Sequence, residues 1–353
     1  MTVFADMITL SRLSEYIFHC YLVWSFGGSP ARKAFGQLPY PPNDLYFSLQ
    51  RALFDSLHIQ ETWKAQPDLV GKLLEGKDAS GSTVPSVEDV QGHGTEMTSI
   101  IAAGINNGIG IAGIADRVKI RPIRLSTSPT GSTDVQVKRA WELANTFKDS
   151  DVIVFASGGL FTHEKSTMFK RVIKKAVEQG NFVVVGASNN DAATGPSEVL
   201  LPCSLANSMP GVVCVAATLT SIPEVLSREA ALLASFGVPA TEVMVAEMRN
   251  EVGQWKYGEI KGSSCATAIV GGIAALMQSF KKFKPDEMKE ILLNATEGKV
   301  RTAKGVEMLY GVLRPDLAVK RAIGKTSLRQ ESNISMINLL IFLTEGSRGM
   351  SYD

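Results

Sequence analysis

The chain has 353 residues, of which 45% are hydrophobic, and its formal net charge at pH 7 is +1. A chain of this size and apolar content can bury one large core or two modest ones. The near-neutral charge, with no basic stretch beyond short helical faces, argues against nucleic acid as a partner. Four cysteines are too few for a disulfide scaffold, although Cys203 and Cys214 flank a short loop and could pair in an oxidising compartment.

The two ends of the chain differ in character from its middle. An apolar run from Tyr16 to Phe26 is interrupted by polar residues and is too short for a membrane span, so no stable membrane insertion is expected. The run also lacks the basic start and clean apolar core of a secretory signal. We therefore expect residues 1–42 to be a poorly ordered leader or propeptide remnant. Residues 324–353 are expected to form a C-terminal tail, which contains the short apolar stretch Ile334–Leu343.

The middle of the chain alternates between short apolar runs and stretches with helical periodicity. The apolar runs have the continuity of strands that are buried on both faces. This alternation predicts a parallel sheet with helices on both faces and an active site at the carboxyl ends of the strands. In chain order the predicted elements are helix Met97–Ala103, strand Val118–Leu125, helix Val135–Phe147, strand Val152–Ala156, helix Met168–Val177, strand Phe182–Val185 and strand Gly211–Ala217.

A histidine between glycines begins the first of these helices. The stretch Gly92-His93-Gly94-Thr95 leads into the helix, which is followed by the glycine-rich loop Gly104–Gly113. A lone histidine is more often structural than catalytic. Its placement just before a helix nevertheless lets the ring face a cleft.

A serine begins another helix, made almost entirely of small and apolar residues. The stretch Gly262-Ser263-Ser264-Cys265-Ala266-Thr267-Ala268 leads into Ile269–Met277. A hydroxyl at a helix start meets the positive end of the helix dipole and several backbone N–H groups, which favour a nucleophile and the charge it creates on a carbonyl. The alternative is that Ser264 only caps a buried helix. Together with His93, however, it matches a Ser–His pair, whose members meet in space rather than in sequence.

These two stretches resemble the histidine and serine boxes of subtilisin-like serine endopeptidases. Three further stretches agree in the family's order: Asn43–Trp63 with the start of the mature domain, Ala156-Ser157-Gly158-Gly159 with the substrate-lining strand end, and Val183–Asn190 with the turn of the oxyanion-hole asparagine. The resemblance covers residues 43–323. It implies a three-layer α/β/α subtilisin-like fold with a mostly parallel central sheet.

The resemblance also implies the roles of individual residues. His93 would be the general base, Ser264 the nucleophile and Asn190 an oxyanion donor, although Asn189 and Asn190 could simply be turn residues. The implied protein is a monomeric hydrolase of polypeptides, secreted or vesicular despite its poor N-terminal signal. The implied substrate-binding residues are Ser157, Gly158 and Gly159.

One box of the family is absent. The triad aspartate normally ends a hydrophobic strand shortly before a His-Pro-Asp-Leu-like stretch, but here Trp63-Lys64-Ala65 runs directly into Gln66-Pro67-Asp68-Leu69. We expect one central strand to be missing, its two neighbours to lack a ladder partner, and the segment that begins the domain to be poorly packed. Asp55 lies before this point and lacks the following glycine, so we interpret it as an acid on a helix surface.

A structural calcium ion is a further implication of the resemblance. Its ligands would be Asp44, Asp68 and Asn107, together with loop carbonyls, and oxygen-only ligands of this kind suit calcium. Asn107 alone would more often be a turn residue. No organic cofactor is expected.

Two hypotheses about function remain open at this point. The first is a serine endopeptidase whose activity is impaired by the missing aspartate. The second is a non-catalytic relative that binds polypeptide in the former substrate groove. Labelling of Ser264 by a serine-directed phosphonate would distinguish the two.

Overall fold

The structure is a computed structural model in which Tyr21–Val23 and Asn338–Leu343 are described by their backbone alone. The helices are α1 (Phe47–Ser56), α2 (His93–Ala102), α3 (Asp134–Ala144), α4 (His163–Glu178), α5 (Cys203–Ala206), α6 (Ser263–Phe280), α7 (Pro285–Asn294) and α8 (Pro315–Gly324). The residues described are 21–23, 42–56, 74–87, 89, 91–108, 110–115, 118–128, 131–189, 200–228, 232–247, 257–324 and 338–343.

Most strands of the described residues join one large sheet, and most of its neighbouring pairs are parallel. The strands are β1 (Tyr21–Val23), β2 (Lys77–Asp78), β3 (Lys119–Ile120), β4 (Ile123–Arg124), β5 (Val152–Phe155), β6 (Gly159–Leu160), β7 (Phe182–Gly186), β8 (Leu200–Leu201), β9 (Val212–Thr218), β10 (Phe236–Pro239), β11 (Val243–Ala246), β12 (Tyr257–Ile260), β13 (Thr296–Glu297), β14 (Val312–Leu313) and β15 (Asn338–Leu343). The strand order in the large sheet is β13-β14-β10-β9-β7-β5-β15-β1-β4-β2, and β3 also pairs with β15. Two short antiparallel pairs, β11 with β12 and β6 with β8, lie outside it.

The central strands divide the interior into two cores, as expected for strands buried on both faces. In β5, Val152 and Val154 pack into the core that contains residues of α2, α6, α7 and α8. Ile153 and Phe155 alternate with them and pack into the core beneath α3 and α4. The result is the three-layer α/β/α arrangement predicted from the alternation of strands and helices.

Helix α6 runs through the first core at close range to the sheet. A Cβ atom at Gly271 would lie 2.5 Å from Val154, and one at Gly272 would lie 2.9 Å from Ile114. Glycine at these two positions therefore lets the helix approach its neighbours. Among the described residues, α6 is the one helix long and apolar enough to cross a membrane, but 89% of it is buried inside the protein, which marks it as a core helix.

The predicted strand Val118–Leu125 is wrong as a single element. The structure contains β3 and β4 instead, separated by Arg121 and Pro122. Proline has no N–H to donate to a strand ladder, so the run is interrupted at that residue. The carbonyl of Pro122 instead accepts a 2.8 Å hydrogen bond from the Lys77 N–H.

The segment that begins the domain is better packed than the sequence suggests. In α1, Phe47, Gln50, Leu53 and Phe54 are buried, and the rings of Phe47 and Phe54 meet edge to face. The Gln50 side chain also exchanges two hydrogen bonds with the backbone of Ala112. The expectation of poor packing is therefore wrong for this helix, because its apolar side chains recur at helical spacing and fill the first core.

Two strands from the ends of the chain take central positions in the large sheet. Between β5 and β4 lie β15, parallel to β5, and β1, antiparallel to both β15 and β4. Both strands lie outside residues 43–323, the domain boundaries expected from the sequence. The large sheet therefore draws on segments that we expected to be leader and tail.

The two cysteines separated by a short loop form a disulfide. Cys203 in α5 and Cys214 in β9 are joined, with their Cα atoms 5.1 Å apart. This pairing is the one that the spacing allowed. It fixes the short helix α5 to a central strand of the sheet.

Candidate active site

The first turn of α6 is anchored at the carboxyl ends of two sheet strands. The Gly262 N–H donates a 2.9 Å hydrogen bond to the carbonyl of Ala240, just after β10. The Ser263 N–H donates to Asn189 Oδ1 at 2.9 Å, and the Ser263 hydroxyl donates to the carbonyl of Ala187 at 2.6 Å, just after β7. These contacts hold the residue that follows, Ser264, in a fixed place at the start of the helix.

Glycine is required at the residue that precedes this turn. Gly262 has φ of +132°, a conformation that L side chains rarely adopt. A Cβ atom there would also lie 3.0 Å from Asn189 Oδ1. As the second residue of α6, Ser264 carries an N–H that has no partner within the helix, so this N–H can bind a developing negative charge.

The first turn of α2 is held by a carboxylate that sequence analysis overlooked. Asp89 Oδ2 accepts hydrogen bonds from the Thr95 N–H at 2.7 Å and the Thr95 hydroxyl at 2.8 Å. Asp89 Oδ1 accepts from the N–H groups of Gln91 and Gly92 at 3.1 and 2.8 Å. His93 is the first residue of this helix, so Asp89 fixes the backbone that carries the imidazole. An aspartate shortly before a helix start was the available signal.

Helices α2 and α6 pack against each other, and Glu96 in the first turn of α2 acts electrostatically on Cys265 in the first turn of α6. His93 and Ser264 are buried, with relative exposures of 5% and 9%. Burial raises the pKa of the Cys265 thiol, next to Ser264. The negative charge of Glu96, in the first turn of α2, raises this pKa further. Cys265 is therefore held as the neutral thiol, as expected for a buried small residue.

The hydrogen bonding of the Ser264 hydroxyl bears on whether the two residues form a reacting pair. Within the described part of the chain, the Ser264 hydroxyl makes no side-chain hydrogen bond, to His93 or to any other residue. Catalytic hydrogen bonds are often long in a protein without substrate, so this geometry is compatible with a Ser–His pair.

The expected substrate-lining residues follow β5 at the same edge of the sheet. Ser157 is buried. Gly158 packs directly against the Leu200 side chain, because a Cβ atom at Gly158 would lie only 2.6 Å from Leu200 Cδ2. Gly159 begins β6 and pairs with Leu201 of β8 in an antiparallel ladder. One side of the Gly159 backbone is therefore occupied by β8.

Two carboxylates, at the end of β2 and before the start of α2, are already engaged in the fold. Asp78, at the end of β2, forms a 2.6 Å ion pair with Arg124. Asp89 binds the start of α2 as described above. Asp55 lies on the surface of α1, with its side chain 53% exposed and 3.6 Å from Arg51 Nε, which agrees with its interpretation as a surface acid.

The implied calcium ligands are partly described. Asp44 is buried, and its Oδ2 and Oδ1 accept hydrogen bonds from the N–H groups of Asn106 and Asn107 at 2.9 and 3.2 Å. The structure thus brings Asp44 and Asn107 together, through the backbone of Asn107. Asp68 and the oxyanion candidate Asn190 lie outside the described residues. Within the described ranges, no group of three or more His, Cys, Asp or Glu residues could hold a metal.

Asp44 nevertheless has the chemistry of a cation ligand. A carboxylate offers about four lone-pair sites, and two are used by the N–H groups of the loop. Among the described residues, Asp44 has no cationic side chain as a partner. A buried carboxylate is stabilised by a positive charge, so Asp44 could serve as one ligand of a cation such as calcium.

Comparison with known proteins reveals a family match over most of the chain. The sequence profile of the Subtilase family matches residues 65–312. An extracellular protease of Xanthomonas campestris is 27% identical over 255 residues, which are 69% of this chain and 42% of that protein. The major intracellular serine protease of Bacillus subtilis is 28% identical over 228 residues, or 62% of this chain and 66% of that protein. The chain thus spans about 42% to 66% of the length of these relatives.

Solved structures show the same fold. A protease structure from Pseudoalteromonas arctica superimposes with a TM-score of 0.65 at 20% identity, covering 80% of this chain and 99% of that one. Fervidolysin from Fervidobacterium pennivorans superimposes with a TM-score of 0.59 at 20% identity, covering 79% of this chain and 46% of that one. At this level of identity the likeness establishes the three-layer fold and leaves the chemistry to the site itself.

Proposed function

Because this chain belongs to the subtilase family, we propose that it is a serine endopeptidase in which Ser264 is the nucleophile and His93 the general base. One observation carries this proposal: two packed helices carry these two residues in their first turns, His93 as the first residue of α2 and Ser264 as the second residue of α6. Hydrogen bonds from Ser263 to Asn189 and Ala187 hold the start of α6. A hydrogen bond from the Thr95 N–H to Asp89 holds the start of α2. Such anchoring is what a reacting pair requires.

The reaction follows from these positions. His93 takes the proton of the Ser264 hydroxyl as the oxygen attacks a peptide carbonyl, and then returns that proton to the leaving amine. The N–H of Ser264 and the side-chain amide of Asn190 stabilise the oxyanion of the tetrahedral intermediate. The loss of one such donor typically costs about 3–4 kcal/mol of transition-state stabilisation. The substrate strand lies along Ser157, Gly158 and Gly159 and pairs with the unoccupied side of that backbone.

We propose that this activity is low. A carboxylate on the far nitrogen normally fixes the histidine tautomer and stabilises the imidazolium. Asp78 and Asp89 are engaged by Arg124 and by the start of α2, and Asp55 is exposed. In subtilisin, whose measured value we borrow here, loss of the acid costs roughly 10⁴-fold in turnover.

Asp78 and Asp89 already have partners within the fold, which also favours a second candidate function. That function is binding of polypeptide without turnover. The two functions are distinguished by hydrolysis of a peptide anilide by the protein and by its Ser264→Ala and His93→Ala variants. Slow hydrolysis that both substitutions abolish supports the peptidase. A rate that either variant retains would show that the activity belongs to a contaminant or to another site.

The protein's environment is part of the same proposal. A disulfide between Cys203 and Cys214 persists in an oxidising compartment, which supports secretion or a vesicular location. We further propose that a calcium ion binds beside the loop that contains Asn107, held by Asp44 and Asp68 with the Asn107 side chain and loop carbonyls. When bound, the ion would neutralise the buried Asp44 carboxylate and stabilise this loop. We propose that the protein acts on polypeptides as a monomer.

A further inference from the structure

Strand β15 lies beneath both helices that begin with the reacting residues. It occupies a central position in the sheet, with β5 on one side and β1 on the other. Both α2 and α6 contact it. Helix α6 also contacts β5, β7, β9 and β10, whereas the principal contacts of α2 with the large sheet are to β1 and β15. Helix α2 also packs directly against α6 and β11, and β15 is the strand of the large sheet on which both helices pack.

We propose that β15 positions His93 relative to Ser264, so that the C-terminal segment of the chain sets the activity of the site. This inference rests on the proposed function. Helices α2 and α6 touch each other, but two packed helices can still slide or rotate unless a common base fixes them. The strand that both helices contact supplies that base. A displacement of about 1 Å between reacting groups can cost about 100-fold in rate.

The register of the ladder identifies which residues of β15 matter most. Ile341 pairs with Val154, and Leu340 pairs with Ile153. Two residues paired across adjacent strands lie on the same face of the sheet. Successive residues along one strand alternate between the two faces. Val154 belongs to the core that contains α2 and α6, whereas Ile153 belongs to the core beneath α3 and α4. The position of Ile341 is thus on the face of the reacting helices.

This assignment gives a matched pair of variants in the full-length protein. Ile341→Ala and Leu340→Ala each remove aliphatic atoms from the same strand, one position apart. Both should lower the thermal midpoint, because each weakens a strand in the middle of the sheet. At a temperature at which both variants are folded, Ile341→Ala should lower kcat by about tenfold or more with KM unchanged. Leu340→Ala should leave kcat unchanged, and Ile341→Val should restore it.

A purely structural role for β15 predicts a different result. Equal kcat values for the two alanine variants, with losses only in thermal midpoint, would overturn the proposal. A fall in kcat for Leu340→Ala as large as that for Ile341→Ala would overturn it as well.

Cysteine cross-linking tests the placement of β15 without reference to activity. Paired residues on adjacent strands lie about 5 Å apart, within disulfide range, whereas residues two strands apart lie about 10 Å apart. The variant Val154→Cys/Ile341→Cys should therefore form a disulfide on mild oxidation, detected by peptide mass mapping. The control Val184→Cys/Ile341→Cys places its cysteine on β7, one strand further away, and should not.

The two measurements separate failure of this proposal from failure of the proposed function. If the wild-type protein hydrolyses no peptide but the Val154–Ile341 cross-link forms, β15 is placed as described and the peptidase function is refuted. If the wild-type protein is active and this cross-link fails to form, the peptidase function stands and the role of β15 is refuted.

Discussion

Asp78 and Arg124 form a buried ion pair in which Asp78 Oδ2 lies 2.6 Å from Arg124 Nη2. The pair joins the carboxyl ends of β2 and β4 at the edge of the sheet. Burial alone would raise the pKa of Asp78, but hydrogen bonds from Arg124, Ser80 and Ser86 outweigh it and lower the pKa below its ordinary value of 3.8. The ionised carboxylate is therefore the form that the fold stabilises.

Replacing this carboxylate should destabilise the protein in a pH-dependent way. The folded-state pKa of Asp78 lies below the unfolded-state value, so its contribution is present above the unfolded pKa and is lost as the pH falls through the folded pKa. Asp78→Asn leaves Arg124 as an uncompensated buried charge, which should cost about 3–5 kcal/mol of unfolding free energy at pH 7. Urea unfolding at pH 7 and below pH 3.8 measures the difference, which should shrink at the lower pH. A cost independent of pH, or one equalled by the exposed control Asp55→Asn, would contradict this account.

Removing Asp89 should release the start of α2. Asp89→Ala eliminates the acceptor for the Thr95 N–H and hydroxyl, and losing such a cap costs about 0.5–2 kcal/mol of stability. Because His93 is the first residue of the helix, the turnover of a peptide anilide should fall as well. Asp89→Asn keeps one side-chain oxygen as acceptor and should lose less of both. A fully active and stable Asp89→Ala protein would show that the turn needs no side-chain cap.

Calcium removal tests the proposed ion beside Asn107. Chelation should lower the thermal midpoint of the wild-type protein, and added calcium should restore it, because a ligand that binds only the folded state stabilises that state. Asp44→Asn removes the buried carboxylate and should abolish the calcium-dependent shift. Scanning calorimetry with and without chelator makes the measurement. A midpoint that does not respond to calcium in the wild-type protein would refute the site.

Much of the central fold could be predicted from local sequence, because continuous apolar runs identify buried strands directly. Strands β5, β7 and β9 and helix α4 lie within a few residues of their predicted positions. The pairing of β15 with β5 could not be predicted, because these strands are far apart in sequence and nothing local specifies their register. The break at Pro122 was readable in principle, since proline cannot donate to a ladder.

The helix starts that carry the candidate residues were predictable to a similar extent. His93 lies between two glycines at the start of α2, and Ser264 follows Gly262-Ser263 in the first turn of α6. The anchoring contacts of Asp89 and Asn189 depend on how the turns fold, so they appear only in the structure. The pairing of Gly159 with Leu201 likewise joins residues that are far apart in sequence, so local sequence does not specify it.

Restoring the family's acid should raise the rate by several orders of magnitude. A strand ending in Asp-Thr-Gly, inserted after Ala65, would supply a carboxylate where the family carries its triad acid, and its benefit should approach the roughly 10⁴-fold loss known for subtilisin. The inserted strand must take the central position that β15 now occupies between β5 and β1. Active-site titration of both proteins on a peptide anilide gives turnover per functional site. A comparable rate for the unmodified chain would mean that another acid already orients His93.

The most direct test of the account is to identify the residue that a serine-directed phosphonate modifies in the folded, full-length protein. The account predicts slow labelling at a single residue, Ser264, located by peptide mass mapping. Ser264→Ala should remove the label and His93→Ala should slow its formation, because His93 must take the proton from the hydroxyl. No labelling of the folded protein, or a label that persists in Ser264→Ala, would contradict the claim that Ser264 is the nucleophile of this site.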